Sequence, residues 1–386
     1  MSDDRLRAAL RDAPVDDPGA RARSLRVVRA AFREAEPARV RRRGRRRVAA
    51  LALLVVCAAV AAAAASTPGD AVARWVRDVL GVGRDDARPA LVRVPGGGRL
   101  LVSSAGGAWA VSADGARRRL GGYAGASWSP HGRFALAWRG GELWAVEPGG
   151  RVRWSLARPG RIESARWNAV DGFRVAYVTG RSLRVVNGDG TGDRRLAAAG
   201  GGALAWRPDG DHVLAYLDGR RRPTVVAVDS GRRLWSGAPL GDGRVKLAWS
   251  PDGRRLLVAG ERAWLVVRDG RDGAWQPVRE GFVIDDVAWA PRGDRFAVVR
   301  RNDRRSDIVL VGRHSRRLLF TGAGGFGPVS FSPDGRRLLV PWPPADQWLF
   351  LETGAAGGVT AVANIGRQFA RGPGRTPFPD AVAWGP

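Results

Sequence analysis

Lysine, cysteine, methionine and tyrosine are almost missing from this sequence of 386 residues. It contains one lysine, one cysteine, one methionine, three tyrosines and three histidines. The lone Cys57 excludes a disulfide framework within the chain and a metal site built from several cysteines. The sequence also lacks a Gly-Lys-Ser/Thr phosphate loop, a His-Glu-x-x-His motif and a Gly-x-Ser-x-Gly elbow. We therefore predict no catalytic residues, no metal ligands and no cofactor site, and expect that the protein is not an enzyme.

Positive charge, in contrast, is abundant. The chain carries 64 basic and 37 acidic residues, a formal net charge of +27, and 63 of the basic residues are arginine. This preference for arginine is typical of the codon bias of a GC-rich genome. Arginine is spread through the chain instead of forming one patch, which argues against nucleic acid as the partner. The charge favours acidic partners, such as a protein or an anionic polymer of the cell envelope.

An uncharged apolar segment at residues 48–66 follows seven arginines between Arg39 and Arg47. Nineteen helical residues span about 28 Å, close to the thickness of the hydrocarbon layer of a membrane. The positive-inside rule then predicts one transmembrane helix at the plasma membrane, with residues 1–47 in the cytoplasm and the rest outside. Cleavage after Ala65 is the alternative to a permanent anchor.

The segments on either side of this predicted anchor have helical patterns. In the basic segment 1–47, Leu25, Val28 and Phe32 recur at helical spacing. Such a helix can lie on anionic lipids or contact a cytoplasmic regulator. Residues 67–90 are predicted to form an amphipathic linker to the outer domain.

A repeat of about forty residues dominates the remainder, residues 91–386. Each copy contains an aromatic residue, in most copies followed by a Ser-Pro-Asp-Gly-like turn. The seven aromatics are Trp128, Trp167, Trp206, Trp249, Trp289, Phe331 and Trp384. Short strands with alternating apolar residues follow each turn, and this period is typical of propeller blades.

The two ends of the repeat region complement each other. Residues 99–120 resemble the second to fourth strands of a unit, and residues 381–384 resemble a lone first strand. Pairing these segments would complete a ring without exposed edges. The predicted fold class is therefore an all-β, seven-bladed β-propeller, preceded by a cytoplasmic helix and one transmembrane helix.

The turns of the repeat carry a family resemblance. Residues 112–120 and 187–196, with their Asp-Gly turns and Arg-Arg-Leu strands, resemble the repeat of TolB-like, WD-repeat-like propellers. Two stretches, 146–154 and 226–235, are also similar to quinoprotein-type repeats, whose rings often have eight blades. The layout of helix, anchor and outer propeller resembles membrane-anchored propeller proteins of actinobacteria.

Two acidic patterns are candidate sites. Asn187, Asp189, Thr191 and Asp193 have the alternating spacing of a calcium loop, but Ala198 stands where the bidentate carboxylate belongs. The resemblance implies that these residues form a turn. The paired carboxylates 285–286 could support acid/base chemistry, but no nucleophile accompanies them in the sequence.

The combined patterns predict a membrane-anchored, extracytoplasmic scaffold that binds a protein, a peptide or an envelope polymer at one face of the propeller. One alternative is a transmembrane signalling protein resembling anti-sigma factors, with the propeller as the sensor. The other is a quinoprotein-type dehydrogenase, for which the sequence lacks a recognisable set of ligands.

Overall fold

The structure is a computed structural model that describes residues 90–104, 106–168, 170, 173–355, 357–370, 378–379 and 381–385. Within these residues the chain forms antiparallel β-strands arranged as a β-propeller, the architecture that the repeat predicts. The predicted segments 1–47 and 48–66 lie outside the described residues, as do Leu25, Val28, Phe32 and all of the linker except its last residue.

The strands are short, and most have four to eight residues, in keeping with the closely spaced turn signals. In chain order they are β1 (Arg99–Ser104), β2 (Gly107–Val111), β3 (Arg117–Gly121), β4 (Gly125–Trp128), β5 (Ala135–Arg139), β6 (Glu142–Val146), β7 (Val152–Ala157), β8 (Ile162–Trp167), β9 (Arg174–Thr179), β10 (Ser182–Asn187), β11 (Arg194–Trp206), β12 (Val213–Asp218), β13 (Pro223–Ala227), β14 (Arg233–Ser236), β15 (Lys246–Trp249), β16 (Arg255–Ala259), β17 (Ala263–Arg268), β18 (Arg271–Asp272), β19 (Gln276–Pro277), β20 (Val283–Trp289), β21 (Arg295–Arg301), β22 (Arg305–Gly312), β23 (Arg316–Ala323), β24 (Ser330–Phe331), β25 (Arg337–Trp342), β26 (Gln347–Glu352), β27 (Val359–Ala363) and β28 (Ala381–Gly385).

These strands form six hydrogen-bonded sheets, numbered here by their order in the chain. Sheet 1 has the order β28-β1-β2-β3, sheet 2 contains β4 to β7, and sheet 3 contains β8 to β14. Sheet 4 contains β15 to β19, sheet 5 contains β20 to β23, and sheet 6 contains β24 to β27.

The prediction of seven separate blades is wrong. Five sheets have the four or five strands of a blade, whereas sheet 3 is one sheet of seven strands. The cause is the thirteen-residue β11, which pairs with β10 at its start and with β12 at its end. Its middle contains three glycines and no proline, and the chain stays extended there. A Cβ at Gly200 would lie 2.3 Å from the carbonyl oxygen of Asp218, so this close approach requires glycine.

Helices are few in the part of the chain that the structure describes. They are a 3-10 turn at Pro343–Ala345 and the four-residue helix α1 at Ile365–Gln368. None of the described helices is long and apolar enough to cross a membrane. The predicted fold class is corrected accordingly to an all-β propeller, with no membrane-spanning helix among the described residues.

Sheet 1 joins the two ends of the repeat region. The register of β28 on β1 places Trp384 opposite Leu100 and Val382 opposite Val102. β28 is therefore the inner strand of sheet 1, whose other strands are β1, β2 and β3. This pairing covers the edge of β1, which would otherwise offer unpaired backbone groups to another chain.

The hydrophobic core lies between the faces of neighbouring sheets. Between sheets 5 and 6, for example, the rings of Phe320, Phe326 and Trp342 pack with centroids 5.4–6.0 Å apart. Edge-to-face and tilted ring contacts of this kind add to the stabilisation from burial alone. Sheets that pack face to face around a ring leave their inner strands along a central channel.

The repeated tryptophans connect these inner strands. In three consecutive copies the indole Nε1 donates to the carbonyl oxygen of the residue just before the preceding aromatic. The three hydrogen bonds are Trp206 to Arg166 at 3.0 Å, Trp249 to Ala205 at 3.1 Å and Trp289 to Ala248 at 2.9 Å. The aromatic of the repeat therefore sets the spacing between adjacent inner strands as well as filling the core.

Candidate functional site: the central channel

The inner strands enclose a channel. β4, β8, β11, β15, β20, β24 and β28 contact one another in this order, and β28 contacts β4 again, so the ring is closed. The enclosed cavity has a volume of about 840 Å³. All six sheets contribute lining residues, among them Ser103, Ser127, Arg166, Lys246, Asp286 and Ser330. A concave cavity of this size with a few converging polar groups is typical of a small-ligand site.

The two faces of the propeller differ in the segments that form them. The loop face is the side where an outer strand leads into the next inner strand, at residues 199–203, 237–245 and 324–329. The turn face is the opposite side, which carries the Ser-Pro-Asp-Gly turns such as 250–253 and 332–335. Residues of the loop-face segments line the cavity, so the channel opens on the loop face.

Arg221 fixes the channel mouth on the loop face. It has a left-handed backbone with φ of 59°, and its guanidinium donates to three carbonyl oxygens. The acceptors are Gly200 at 3.0 Å, Gly241 at 3.0 Å and Gly243 at 2.5 Å. These bonds tie the loop before β15 to the middle of β11. Arg221 is therefore a structural residue of the mouth, and three of its donors are used within the fold.

Lys246 and Asp286 form an ion pair inside the channel. Lys246 Nζ lies 2.9 Å from Asp286 Oδ1, and the backbone N–H of Val329 donates to Asp286 Oδ2 at 2.9 Å. The Asp286 side chain is 10% exposed. The carboxylate is thus neutralised by the lysine and held in place by sheet 6.

In the part of the chain that the structure describes, Arg166 lies in the channel without a carboxylate partner of this kind. Its Nη1 donates to the carbonyl oxygen of Ala165 at 3.0 Å, and no carboxylate of the described residues pairs with it. The guanidinium is surrounded by protein yet keeps exposed surface, because it faces the water-accessible channel. Burial lowers the pKa of Arg166 and the charge of Asp286 opposes this shift. Arginine still remains charged at neutral pH.

The lining of the cavity carries excess positive charge. It contains four basic side chains and one acidic side chain, namely Arg166, Arg221, Arg244, Lys246 and Asp286. Arg244 is exposed at the mouth. Since Lys246 and Asp286 neutralise each other, the net field at the mouth is that of the arginines. Clefts lined by one sign of charge focus the field and attract ligands of opposite charge.

The candidate calcium loop is a turn in the structure. Asp189 Oδ1 accepts hydrogen bonds from the backbone N–H of Thr191 at 2.9 Å and from its hydroxyl at 2.7 Å, and Asn187 donates to the same hydroxyl. The Asp193 carboxylate instead binds arginines. No group of three or more candidate metal ligands occurs among the described residues. The residues are therefore held by one another as a local turn.

Asp193 belongs to a buried polar cluster. Its carboxylate, 4% exposed, lies 2.6 Å from the guanidinium groups of both Arg158 and Arg184 and accepts from the Tyr177 hydroxyl at 2.6 Å. Burial raises the pKa of Asp193, but the hydrogen bonds from Arg184, Tyr177 and Arg158 outweigh it and leave that pKa below its usual value. Burial and the bond to Asp193 raise the pKa of Tyr177. The cluster joins sheets 2 and 3.

The paired carboxylates 285–286 do not act together. Asp286 points into the channel, whereas Asp285 pairs with Arg301 at 2.9 Å. The register of β20 on β21 shifts between Ile284 and Asp286, and neighbouring strand residues point to opposite faces. The structure thus separates the two residues that adjacency in sequence had suggested as a unit.

Sequence reasoning missed Arg166 and Lys246 as channel residues, although both carry a signal. In the other six copies of the repeat, the residue before the aromatic is small: Ser127, Ala205, Ala248, Ala288, Ser330 and Ala383. Only the second copy has an arginine there. Lys246 is the one lysine of the chain. Aligning the copies and looking for departures would have selected both residues.

Comparison with known proteins supports the fold and goes no further. The C-terminal WD40 domain of Sif2 matches with a TM-score of 0.53 and 16% identity, over 69% of this chain and 82% of that chain. Hydrazine synthase of Kuenenia stuttgartiensis matches with a TM-score of 0.50 and 15% identity, over 59% of this chain and 75% of that chain. No family model and no curated protein matches the sequence. At such low identity the likeness shows a propeller fold of the WD40 type and no particular activity.

Proposed function

We propose that the propeller is a binding scaffold that holds an acidic protein segment at the loop face, over the mouth of the central channel. The observation that carries the proposal is the open, positively charged channel mouth with Arg244 exposed at its rim. Charge complementarity of this kind increases the association rate and disfavours partners of the same sign.

The rigidity of the mouth supports a role in recognition. Arg221 holds the loop before β15 in place through three carbonyl oxygens, so little ordering of this segment is needed when a partner binds. A rim that is already ordered lowers the entropic cost of association. WD40-type propellers, with which this chain shares its fold, generally bind proteins.

The partner proposed is a protein segment, and an anionic polymer of the cell envelope is the other partner consistent with the charge. Both would be attracted to the same basic mouth. The sequence-based alternative of a signalling protein depends on residues 25–32, which lie outside the described residues.

The test uses the full-length chain and a fluorescent decaglutamate peptide, with binding followed by anisotropy. We expect Arg244→Glu to weaken binding by about tenfold, because it replaces attraction by repulsion at the rim. The matched control is Arg254→Glu, which makes the same change of charge at an exposed position of the turn face. It should leave the affinity unchanged.

Equal losses in the two variants would show that binding follows the net charge of the protein, and the proposal would be wrong. Unlabelled polyphosphate and a neutral decaglutamine peptide serve as competitors. Displacement by polyphosphate at lower concentration than by decaglutamate would assign the mouth to an envelope polymer in place of a protein segment.

The extracytoplasmic location is a proposal that rests on the sequence of residues 39–66 alone. Protease added to intact cells should degrade the propeller if it is exposed outside the membrane. Degradation that requires lysis of the cells would place the propeller inside.

A further inference from the structure

We infer that the interior of the channel is a binding site for a small oxyanion, a phosphate or a carboxylate, held by the guanidinium of Arg166. This site lies inside the channel and is independent of the partner proposed at the loop face.

The first argument is that the Arg166 guanidinium faces the channel without a carboxylate of the described residues in contact. It is exposed to water there, so its unused donors can exchange water for an anion. Arg166 has five N–H donors, and in the described structure one of its nitrogens donates, to the carbonyl oxygen of Ala165. The channel carboxylate, Asp286, is already bound by Lys246 and by the backbone of Val329. The remaining donors of Arg166 are therefore available to an anion in the channel.

The second argument is that the fold does not require an arginine at this position. Arg166 occupies the place where the other copies of the repeat have alanine or serine, and those copies form equivalent inner strands. Its backbone carbonyl alone accepts the structural hydrogen bond from Trp206. The long cationic side chain adds nothing to this contact, so its presence in the channel needs a reason outside the architecture.

The chemistry of the lining indicates the class of ligand. The planar guanidinium matches two oxygens of a phosphate or a carboxylate at once. Lys246, paired with Asp286, lines the same cavity. The Ser330 hydroxyl accepts from the backbone N–H of Trp384 at 2.9 Å and so keeps its own hydrogen for a ligand. A cavity of about 840 Å³ has room for inorganic phosphate and for a tricarboxylate such as citrate.

The direct test is calorimetric titration of the full-length chain with inorganic phosphate and, separately, with citrate at constant ionic strength. We expect both to bind, and Arg166→Ala to weaken them at least about tenfold through loss of the charged hydrogen bonds. Arg166→Lys keeps the positive charge but lacks the planar guanidinium. Its affinity for the anions should therefore lie between those of the wild type and Arg166→Ala. Arg254→Ala on the turn face is the matched control and should bind like the wild type.

A second readout uses the single lysine of the chain. Lys246 is the one ε-amine that an acylating reagent can modify, and peptide mass spectrometry separates it from the terminal amine. Phosphate or citrate in the channel should slow acylation of Lys246 in the wild type and have no effect in Arg166→Ala. If Arg166 has only a structural role, phosphate and citrate will not slow acylation of Lys246 in the wild type or in Arg166→Ala.

Three results would overturn the inference: no binding of either anion to the wild type, undiminished binding to Arg166→Ala, or equal loss in Arg254→Ala. Thermal unfolding without anions checks the variants, and Arg166→Ala should melt close to the wild type, because the exposed side chain makes one hydrogen bond within the described structure. If Arg166→Ala fails to fold, the comparison of Arg166→Lys with the wild type decides. The proposal of a partner at the loop face fails separately: it is wrong if Arg244→Glu binds decaglutamate as tightly as the wild type.

Discussion

Asp193 and Arg166 are charged side chains in different surroundings, since Asp193 is buried between two sheets and Arg166 is exposed to the channel. Asp193 meets two guanidinium groups and a phenol hydroxyl, all at 2.6 Å. Arg166 meets one carbonyl oxygen at 3.0 Å and otherwise faces the channel. A charge that is satisfied by its neighbours has a structural role, whereas one that is not satisfied is available to a ligand.

At the level of the residue, Asp193→Asn should destabilise the propeller by about 3 kcal/mol at neutral pH, because it leaves two arginines without their carboxylate. Urea unfolding followed by tryptophan fluorescence measures the loss. Asp303→Asn, at an exposed turn, is the control and should change stability by less than about 0.5 kcal/mol. A loss no larger than in the control would contradict a structural role for the cluster.

The lowered pKa of Asp193 predicts that the stability of the protein depends on pH. The pKa of Asp193 in the folded protein is below its usual value of 3.8, so the unfolded chain takes up a proton first as the pH falls. The stabilisation by Asp193 is therefore complete above about pH 5 and decreases as the pH falls through 4 towards the lowered pKa. The difference in stability between wild type and Asp193→Asn should shrink over that range.

At the level of the element, the aromatic of the repeat connects one inner strand to the next. Trp206 donates to the carbonyl oxygen of Arg166, whereas the indole Nε1 of Trp167 is buried without a hydrogen-bond partner among the described residues. The two indoles are equally buried, at 6% and 7% exposure. The pair thus offers a comparison in which the hydrogen bond is the main difference.

We expect Trp206→Phe to cost about 1 kcal/mol more than Trp167→Phe in free energy of unfolding. The first substitution leaves a buried carbonyl oxygen without its donor, and the second removes an N–H that has no acceptor. Urea denaturation of both variants gives the difference directly. Equal costs would mean that the repeated tryptophans act by packing alone.

The sequence predicts most individual strands but not how β11 is built. The Pro-Gly turns of the repeat mark the hairpins at positions such as 250–253, because proline and glycine fix the backbone there. The glycines of residues 199–202 are compatible with a turn and also with an irregular strand. The close approach to Asp218, a contact seen only in three dimensions, favours the extended form.

At the level of the whole molecule, the site depends on contacts that the repeat does not encode. Arg166, Lys246 and Asp286 lie on inner strands in three different sheets. The repeat does not say which side chains face the channel, because a shift of one residue reverses the face of a strand. The register shift between Ile284 and Asp286 is such a case, because it changes the strand alignment just before this residue.

Closure of the ring by β28 also belongs to this level. Deletion of residues 381–386 should expose the edge of β1 and cause association between chains, since an unpaired strand edge templates further pairing. Size-exclusion chromatography measures this. Addition of a synthetic peptide of residues 378–386 should restore the monomer, and a scrambled peptide should not. A deletion variant that stays monomeric would show that β28 is dispensable for closure.

The pairing of β28 with β1 has a consequence for the newly made chain. β1 leaves the ribosome roughly 280 residues before its partner, which at bacterial and eukaryotic synthesis rates corresponds to about 15–60 s. During that interval the apolar edge strand is present without its neighbour, and the channel does not yet exist. The vulnerable period of this protein is therefore set by translation speed, and slowing synthesis after residue 121 would lengthen it.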